Sequence, residues 1–388
     1  MNTAFLSESF YKKYGNRNDK PVLFFSPGRV NLIGEHTDYN GGYVFPCAVN
    51  YGTYLLVRKR SDNTIRFATL NFNHDDSVEF SGMFKNTSRR WINYPLGVMN
   101  EFIKRGTDLA GMELLYYGDV PNGAGLSSSA SIEMVTAVAL NETYNAGLPL
   151  LELVKMSQRA ENEFVGMNCG IMDQFAAGFG KKDHAIFLNC NTLDFENVPV
   201  VLGDRLLVIS NTNKRRGLTD SKYNERRSEC DRVVELLQGY KKISNLSEIG
   251  TGELSDIEKF ISDSTLRRRA KHVITENGRV MEAVSVLKAN NIERFGELMN
   301  QSHDSLKNDY EVTGTELDVL VYEARKLPGV IGSRMTGAGF GGCTVSIIKK
   351  DAVTDFIRDL SKTYTKVTGL IPDFYTPEIW DGACRLDY

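Results

Sequence analysis

The sequence lacks the features that mark several common protein classes. None of its six cysteines stands in a C-x-x-C pair, and no histidine lies at zinc-ligand spacing from a cysteine, which argues against a zinc finger or a redox pair. No apolar run approaches the roughly 20 residues of a membrane span, and the chain does not begin with a basic segment followed by an apolar stretch. We therefore expect a cytoplasmic protein with reduced, buried thiols.

An excess of charge of either sign is also missing. The 46 lysines and arginines nearly balance the 49 aspartates and glutamates, for a formal net charge of −3. Such a balance gives no general attraction to nucleic acid or to an anionic membrane surface. We expect neither as a partner, and any polyanionic ligand must be held by a local site.

Repeats, low-complexity tracts and Pro/Gly/Ser linkers are absent too. At 388 residues the chain is too long for one small core, so two domains are expected, and without a linker they must be joined tightly. We place the boundary within Cys190–Asp204, between two strand-like runs. This divides the chain into an N-terminal domain of residues 1–195 and a C-terminal domain of residues 196–388.

Strand-like and helix-like patterns follow one another irregularly. The predicted strands are Val22–Phe25, Tyr54–Val57, Ile186–Leu188, Leu206–Ile209 and Cys343–Ile348, and the predicted helices are Ala130–Asn145, Leu151–Val165, Glu225–Gln238, Arg267–Ala289 and Ile292–Leu306. Because a regular βαβ rhythm is missing, the pattern favours an α+β fold over a doubly wound sheet.

What the sequence does contain is three glycine-rich segments, and the first follows a predicted strand. Residues 26–42 read S-P-G-R-V-N-L-I-G-E-H-T-D-Y-N-G-G. Asn40-Gly41 fits a hairpin turn, so a polar connecting loop is the alternative. Turn chemistry does not account for Arg, Glu, His and Asp within ten residues. Donors and acceptors at several angles suit a ligand that carries a ring of hydroxyls.

The second segment, residues 121–131, reads P-N-G-A-G-L-S-S-S-A-S and leads into a predicted helix. Small residues let the backbone approach a ligand, and a helix N-terminus offers unpaired N–H groups and a positive dipole end to a phosphate. It is not a G-x-x-x-x-G-K-[ST] loop, and the protein-kinase H-R-D and D-F-G signatures are missing. A serine-capped helix after a flexible turn remains the alternative.

The third segment, residues 335–343, reads M-T-G-A-G-F-G-G-C and precedes a predicted strand. Four glycines in six residues carry a large conformational-entropy cost. That cost is understandable if the backbone wraps a ligand or braces another loop, although a plain turn before a strand is also possible.

One carboxylate lies in an apolar context between these segments. Asp173 is flanked by Ile171, Met172 and Phe175, and a buried charge there needs a cation to offset its desolvation. An exposed helical aspartate is the ordinary alternative.

Taken together and in this order, the segments resemble the galactokinase family of the GHMP superfamily, which also contains homoserine, mevalonate and phosphomevalonate kinases. G-R-V-N-L-I-G-E-H-T-D-Y-N-G-G is similar to the galactokinase signature, G-L-S-S-S-A-S to the superfamily's phosphate loop, and M-T-G-A-G-F-G-G-C to its third motif. The resemblance runs from about Pro27 to Cys343.

The resemblance implies a two-domain GHMP kinase fold with the active site in the cleft between the domains. The N-terminal domain is expected to be similar to ribosomal protein S5 domain 2, and the C-terminal domain to be ferredoxin-like. The implied reaction is transfer of the γ-phosphate of ATP, with Mg²⁺, to the C1 hydroxyl of α-D-galactose, giving α-D-galactose 1-phosphate in the first committed step of galactose catabolism. We expect a monomer whose partners are galactose and Mg-ATP.

The resemblance also assigns roles to individual positions. Asp173 matches the catalytic base and Arg29 the cation that supports it; whether Asp173 removes the proton or only orients the hydroxyl stays open. The sugar-binding positions are Glu35, His36, Thr37, Asp38 and Tyr223. The nucleotide-binding positions are Gly123, Ala124, Gly125, Leu126, Ser127, Ser128 and Ser129, with Trp91 and Tyr94 beside the adenine. The Mg²⁺ ligands are Ser129 and Glu161.

Two other functions are compatible with these motifs. A related GHMP kinase could act on N-acetylgalactosamine or arabinose, although no insertion that would widen the sugar site is evident. A galactose sensor with little catalysis could share the fold, but the Ser129-Ala130 pair of the phosphate loop, which we take as the mark of a catalytic member, is intact here.

Overall fold

A computed structural model describes residues 3–387 apart from residues 74, 81, 89, 121–124 and 215–218, and it does not describe the side chains of residues 90 and 219–221. The described strands are β1 Val22–Asn31, β2 Tyr43–Val44, β3 Pro46–Lys59, β4 Thr64–Thr69, β5 Asp75–Glu79, β6 Met112–Gly118, β7 His184–Asn189, β8 Phe195–Pro199, β9 Arg205–Asn211, β10 Val330–Thr336, β11 Cys343–Lys349, β12 Asp373–Tyr375 and β13 Cys384–Leu386.

The described α-helices are α1 Thr3–Tyr14, α2 Asn93–Lys104, α3 Ser128–Thr143, α4 Leu150–Arg159, α5 Met172–Phe179, α6 Thr219–Leu237, α7 Leu254–Phe260, α8 Ser264–Lys288, α9 Ile292–Ser305, α10 Thr315–Ala324 and α11 Val353–Thr368. Two π-helical turns, Ala160–Val165 and Leu306–Tyr310, extend α4 and α9. Each predicted strand and helix overlaps an element of its own type, so the element predictions are confirmed.

The first sheet has six strands in the order β13-β1-β3-β6-β4-β5, antiparallel except for β4 and β6. Alternating side chains of its strands are buried on opposite faces, as the two-residue period of a strand requires. Leu23 and Leu56 face the small cluster under α1, whereas Phe24 and Leu55 face the large core under α2 to α5. Because both faces are covered, the central strands β1, β3 and β6 are buried over most of their length.

The second sheet has the order β10-β11-β9-β12 and is antiparallel throughout. One of its faces packs on α10 and α11, and the other packs on α8 and α9. The mixture of antiparallel sheets and irregularly placed helices confirms the α+β prediction.

A small third sheet, β2-β7-β8, lies beside one core that joins the two larger sheets. Val30 and Phe45 contribute to this core from the first half of the chain, and Ile209 and Phe295 from the second half. The last strand, β13, pairs with β1 of the first sheet. The division at residues 195 and 196 stays a prediction. Among the described residues, no helix combines the length and the apolar character needed to cross a bilayer.

Candidate active site

The sequence-predicted segments meet around a cavity of about 260 Å³. The cavity lies where the end of β1, the start of α3, the start of α5 and the loop after β10 come together. Its walls are formed by Arg29, Glu35, His36, Asp38, Val120, Gly125, Leu126, Ser127, Ser128, Ser129, Glu161, Met167, Cys169, Gly170, Met172, Asp173, Tyr223, Gly337 and Ala338.

Arg29 and Asp173 form a two-point ion pair in the wall of this cavity. Nε of Arg29 donates to Oδ1 of Asp173 at 2.8 Å, and Nη2 donates to Oδ2 at 2.9 Å. The arginine side chain is 5% exposed and the aspartate side chain 25%. Arg29 comes from β1 and Asp173 from the first turn of α5, so the planar guanidinium fixes a carboxylate 144 residues away in one orientation.

The phosphate-loop segment is anchored on the same strand. The Arg29 amide donates to the carbonyl of Leu126 at 3.0 Å, and Nη1 of Arg29 donates to the carbonyl of Gly125 at 2.6 Å. A Cβ atom at Gly28 would lie 2.5 Å from the Leu126 oxygen, so only glycine permits this approach. The start of α3 therefore faces the cavity. Gly123 and Ala124, two predicted nucleotide contacts, lie outside the described residues.

Ser127 has an unusual conformation at the start of α3. It occupies the N-cap position with φ 60° and ψ 54°, in the left-handed region, and its side chain makes no capping hydrogen bond. Its hydroxyl instead donates to Oδ2 of Asp173 at 2.5 Å.

Glu35 is almost fully buried, at 1% exposure, and its carboxylate is held by groups from both halves of the chain. Oε2 accepts from Asn31 at 2.5 Å and from Arg334 at 2.7 Å, and Oε1 accepts from the Gly337 amide at 2.7 Å. The third glycine-rich segment thus braces the first, one of the two roles considered for it. Glu35 reaches the cavity wall as part of this brace.

His36 is held as a neutral ring. Burial lowers the pKa of His36 to about 3. Its Nε2 lies 3.3 Å from the carbonyl of Ala338, which can only accept, so Nε2 carries the proton. Nδ1 then accepts from the Tyr39 hydroxyl at 2.8 Å. The backbone of His36 has φ 63°, a left-handed turn that directs this ring into the pocket wall.

Asp38 projects into the cavity beside Gly170. Burial, and then the charge of Asp173, raises the pKa of Asp38 to about 6. By contrast, Thr37 turns away from the cavity, with its hydroxyl 2.9 Å from the carbonyl of Gly34 and 2.7 Å from that of Tyr43.

Tyr223 reaches the cavity from α6 and completes an aromatic corner. Its ring centroid is 5.6 Å from that of His36 and 5.2 Å from that of Tyr39. Burial raises the pKa of Tyr223, so its hydroxyl stays protonated and can both donate and accept.

A second group of oxygens lies on the α3 side of the cavity. Glu161, in the π-helical turn, is 6% exposed and lines the same cavity as Ser129. Nε2 of Gln174 donates to Oε2 of Glu161 at 2.6 Å and to Oε2 of Glu133 at 3.0 Å. Burial, and then the charge of Asp173, raises the pKa of Glu161. Among the described residues, no three His, Cys, Asp or Glu side chains are arranged to hold a metal ion on their own.

Trp91 and Tyr94 do not line this cavity. Trp91 packs edge-on against the rings of Phe67, Phe72 and Tyr116, on the α2 side of the first sheet. Their role beside the adenine stays a prediction.

Sequence reasoning did not identify the side chains of α8 that support the first glycine-rich segment, residues 26–42, which we call the signature loop. Glu276 accepts from the Gly34 amide at 2.9 Å, Asn277 accepts from the Tyr43 amide at 2.9 Å, and a ring nitrogen of His272 lies 3.1 Å from the Glu35 carbonyl. The signal that could have found them is the spacing of His272 and Glu276, two polar residues four positions apart on the buried face of a helix. Gly170 and Gln174 gave no such signal, since their contacts are with distant segments.

Comparison with known proteins is consistent with this geometry. Three family models match the chain: the galactokinase galactose-binding signature at residues 8–59, the GHMP kinases N terminal domain at residues 93–181 and the GHMP kinases C terminal domain at residues 283–366. A galactokinase of Clostridium acetobutylicum is 52% identical over 368 residues, which cover 94% of this chain and 95% of the relative.

Solved structures agree. A Lactococcus lactis galactokinase complexed with galactose superimposes with a TM-score of 0.97 at 43% identity, with each chain covered completely. A mevalonate kinase of Methanococcus jannaschii superimposes with a TM-score of 0.68 at 19% identity, covering 94% of this chain and 100% of the other, which supports the fold alone.

Proposed function

The chain belongs to the galactokinase family of the GHMP kinases, and from this premise we propose that it transfers the γ-phosphoryl group of ATP to the C1 hydroxyl of α-D-galactose. The observation that carries the proposal is the ion pair of Arg29 and Asp173, which stands in one cavity between the galactose-signature loop and the start of α3. Phosphoryl transfer needs the acceptor oxygen held in line with the phosphorus and the leaving oxygen of ATP, and a sugar site next to a phosphate site in one cavity allows this.

The sugar is assigned to the signature-loop side of the cavity. Asp38 accepts hydroxyl protons there, and the Tyr223 hydroxyl donates or accepts as the sugar requires. The neutral ring of His36 and the carboxylate of Glu35 are already bonded to the third glycine-rich segment. They therefore present a fixed wall with little rotational freedom, which favours one arrangement of the sugar hydroxyls.

Asp173 is assigned as the group that accepts or orients the proton of the C1 hydroxyl. Its contribution is expected to be about 10²–10⁴-fold in rate, or about 3–5 kcal/mol of barrier. Arg29 holds the carboxylate in place and brings positive charge to the point where the transferring phosphoryl group develops negative charge.

The nucleotide phosphates are assigned to the turn at Gly125–Ser129. Free N–H groups at the start of α3 and the positive end of its dipole favour an anion. The hydroxyls of Ser127, Ser128 and Ser129 line the same wall. The residues that line the cavity do not include Trp91 or Tyr94, so we assign no position to the adenine.

The residues present fit a divalent cation, which we take to be Mg²⁺ because the donors are hard oxygens. Two buried carboxyl groups, Glu161 and Glu133, share a single amide of Gln174, and Oε1 of Glu133 has no partner among the described residues. Burial, and then the charge of Glu161, raises the pKa of Glu133 well above its ordinary range, and a bound cation would favour the ionised form of these carboxyl groups. Ser129 and Glu161 would hold it, with phosphate oxygens and water completing the set. The ion, when bound, neutralises charge on the phosphates.

Two rival functions make different predictions. A kinase for N-acetylgalactosamine or arabinose would prefer that sugar in a panel that also contains galactose and glucose. A sensor would bind galactose without turnover. Full-length similarity to galactokinases favours galactose. A cytoplasmic location and a monomeric state remain predictions from the sequence.

The deciding experiment is a coupled assay of ADP release with Mg-ATP and each sugar of the panel. We expect turnover with galactose at least about tenfold above the other sugars. Asp173→Asn is the matched variant: turnover should fall by about 10²–10⁴-fold while calorimetry still detects galactose binding. Preference for another sugar, or near-full turnover by Asp173→Asn, would remove the substrate or the residue from the proposal.

A further inference from the structure

We propose that Ser127 is a positioning residue for Asp173. Its hydroxyl holds Oδ2 of the carboxylate so that the other oxygen, Oδ1, stays open to the sugar hydroxyl. The orientation of Asp173 therefore depends on the position of the phosphate loop. This inference rests on the proposed function of Asp173. It gives Ser127 a second role in addition to the expected contact with nucleotide.

The hydrogen bonds around Asp173 are distributed unequally between its two oxygens. Oδ2 accepts from Ser127 at 2.5 Å and from Nη2 of Arg29 at 2.9 Å. Oδ1 accepts from Nε of Arg29 alone, at 2.8 Å, among the described residues. A carboxylate oxygen has about two acceptor positions. Oδ2 is therefore filled, and Oδ1 keeps one position for an incoming hydroxyl.

The backbone at Ser127 shows that this bond is not incidental. A left-handed conformation is unfavourable for a residue with a Cβ atom. The side-chain oxygen of an N-cap serine ordinarily accepts a hydrogen bond from a backbone N–H of the first turn and stabilises the helix, yet Ser127 makes no such bond. The left-handed backbone and the missing cap both weaken the start of α3, and both accompany a hydroxyl that is directed to Asp173.

The same loop contacts Arg29 at two further points. The carbonyl of Gly125 accepts from Nη1 of Arg29, and the carbonyl of Leu126 accepts from its amide. Residues 125–127 therefore touch both members of the ion pair. A displacement of residues 125–127 would therefore disturb the donor to Oδ2 and the contacts of Arg29 together, so the orientation of the carboxylate depends on this part of the loop.

Two substitutions separate the hydroxyl from the backbone. Ser127→Gly removes the hydroxyl and relieves the left-handed conformation, so folding is not at risk, and Ser127→Ala removes the hydroxyl while keeping a Cβ atom. Because hydrogen bonds to charged groups are strong, we expect each variant to lower kcat by about 10- to 100-fold at saturating Mg-ATP. The KM for ATP should change less than kcat.

The decisive measurement repeats Ser127→Gly in an Asp173→Asn background. If Ser127 acts through Asp173, the second change should cost less than about twofold in kcat. Ser128→Ala is the contrast, since Ser128 lines the same cavity without a hydrogen bond to Asp173 among the described residues. Its effect should be the same in both backgrounds and should appear mainly in the KM for ATP.

The outcomes are distinguishable. Unchanged kcat in Ser127→Gly, or losses that multiply in the double variant, would overturn this inference and leave Ser127 as a nucleotide contact only. If the unaltered protein shows no galactose-dependent ADP release, the proposed function fails and this inference fails with it. If the unaltered protein turns over galactose, Asp173→Asn is disabled and Ser127→Gly keeps full kcat, the proposed function stands and only this inference is rejected.

Discussion

Gly170 packs so tightly on Asp38 that a Cβ atom at residue 170 would lie 1.9 Å from Oδ2 of the carboxylate. This glycine belongs to the loop before α5, and the carboxylate belongs to the signature loop more than a hundred residues earlier in the chain. Only a residue without a side chain leaves Asp38 its place at the cavity wall.

We therefore expect Gly170→Ala to raise the KM for galactose by about 10- to 100-fold, since the displaced carboxylate loses a charged hydrogen bond to the sugar. Gly239→Ala is the matched control, because Gly239 has no atom within 4 Å of the added methyl group and no positive φ. Initial-rate kinetics with varied galactose measure both. An unchanged KM in Gly170→Ala would show that Asp38 does not need its present position.

The affinity for galactose should depend on pH through Asp38. Its pKa is raised to about 6, mainly by burial and then by Asp173, and only the ionised form is a pure acceptor. The KM for galactose should therefore rise as the pH falls through about 6. His36, with its pKa near 3, stays neutral over this range and cannot cause the change. Asp38→Asn should abolish the inflection, and its persistence in that variant would assign it to another group.

The same raised pKa predicts that Asp38 destabilises the fold at neutral pH. The folded-state value of about 6 lies above the ordinary 3.8, so the cost of the charge is absent below about pH 4, develops between about pH 4 and 6, and is complete above. Asp38→Asn should raise the free energy of unfolding by about 1–3 kcal/mol near pH 7.5 and by almost nothing near pH 4. Urea denaturation at the two pH values tests this. An equal gain at both would contradict the charge-based explanation.

The proposed role of Glu161 as a metal ligand can be tested with Glu163 as its matched control. Both lie in the π-helical turn, but Glu161 is buried beside Ser129 whereas the side chain of Glu163 is 60% exposed and pairs with Lys104. Glu161→Gln should raise the Mg²⁺ concentration for half-maximal rate by about 10- to 100-fold. Glu163→Gln should leave it unchanged. Equal responses of the two variants in a magnesium titration of ADP release would exclude Glu161 as a ligand.

The buried pair of Arg334 and Glu35 should be essential to stability. Arg334 is 0% exposed and Glu35 1%. Burial raises the pKa of Glu35, and the charge of Arg334 is the largest opposing influence. Arg334→Ala strands the carboxylate and should cost about 3–5 kcal/mol, whereas Arg358→Ala, at a side chain 64% exposed, should cost about 0–1 kcal/mol. Denaturant unfolding compares them; a small loss for Arg334→Ala would mean that Asn31 and Gly337 satisfy Glu35 without it.

The elements and the glycine-rich segments could be predicted because they depend on local chemistry. Apolar periodicity predicts the bounds of β9 and α8 to within a few residues. The turn-forming residues of the signature loop and the phosphate loop occupy consecutive positions, so they can be recognised in the sequence. The order of these segments then identified the family, and with it Arg29 and Asp173.

Residues whose roles depend on distant partners could not be predicted in the same way. Gln174 joins Glu161 to Glu133, and Arg334 reaches Glu35 across 299 positions. Neighbouring positions in one motif can also diverge, since Asp38 enters the cavity while Thr37 bonds to the backbone of its own loop. A motif places residues near a site without specifying which way each side chain turns.

The sequence by itself determined the class of the fold, the three glycine-rich segments and the candidates for the chemistry, because helix and strand periods and turn preferences are set by neighbouring residues. Only the tertiary structure decided which oxygen of Asp173 is left open, why residue 170 must be glycine and how α8 and β10 hold the signature loop. Each of these depends on hydrogen-bond directions and on distances, defined to a fraction of an ångström, between segments that meet only when the two halves of the chain share a core.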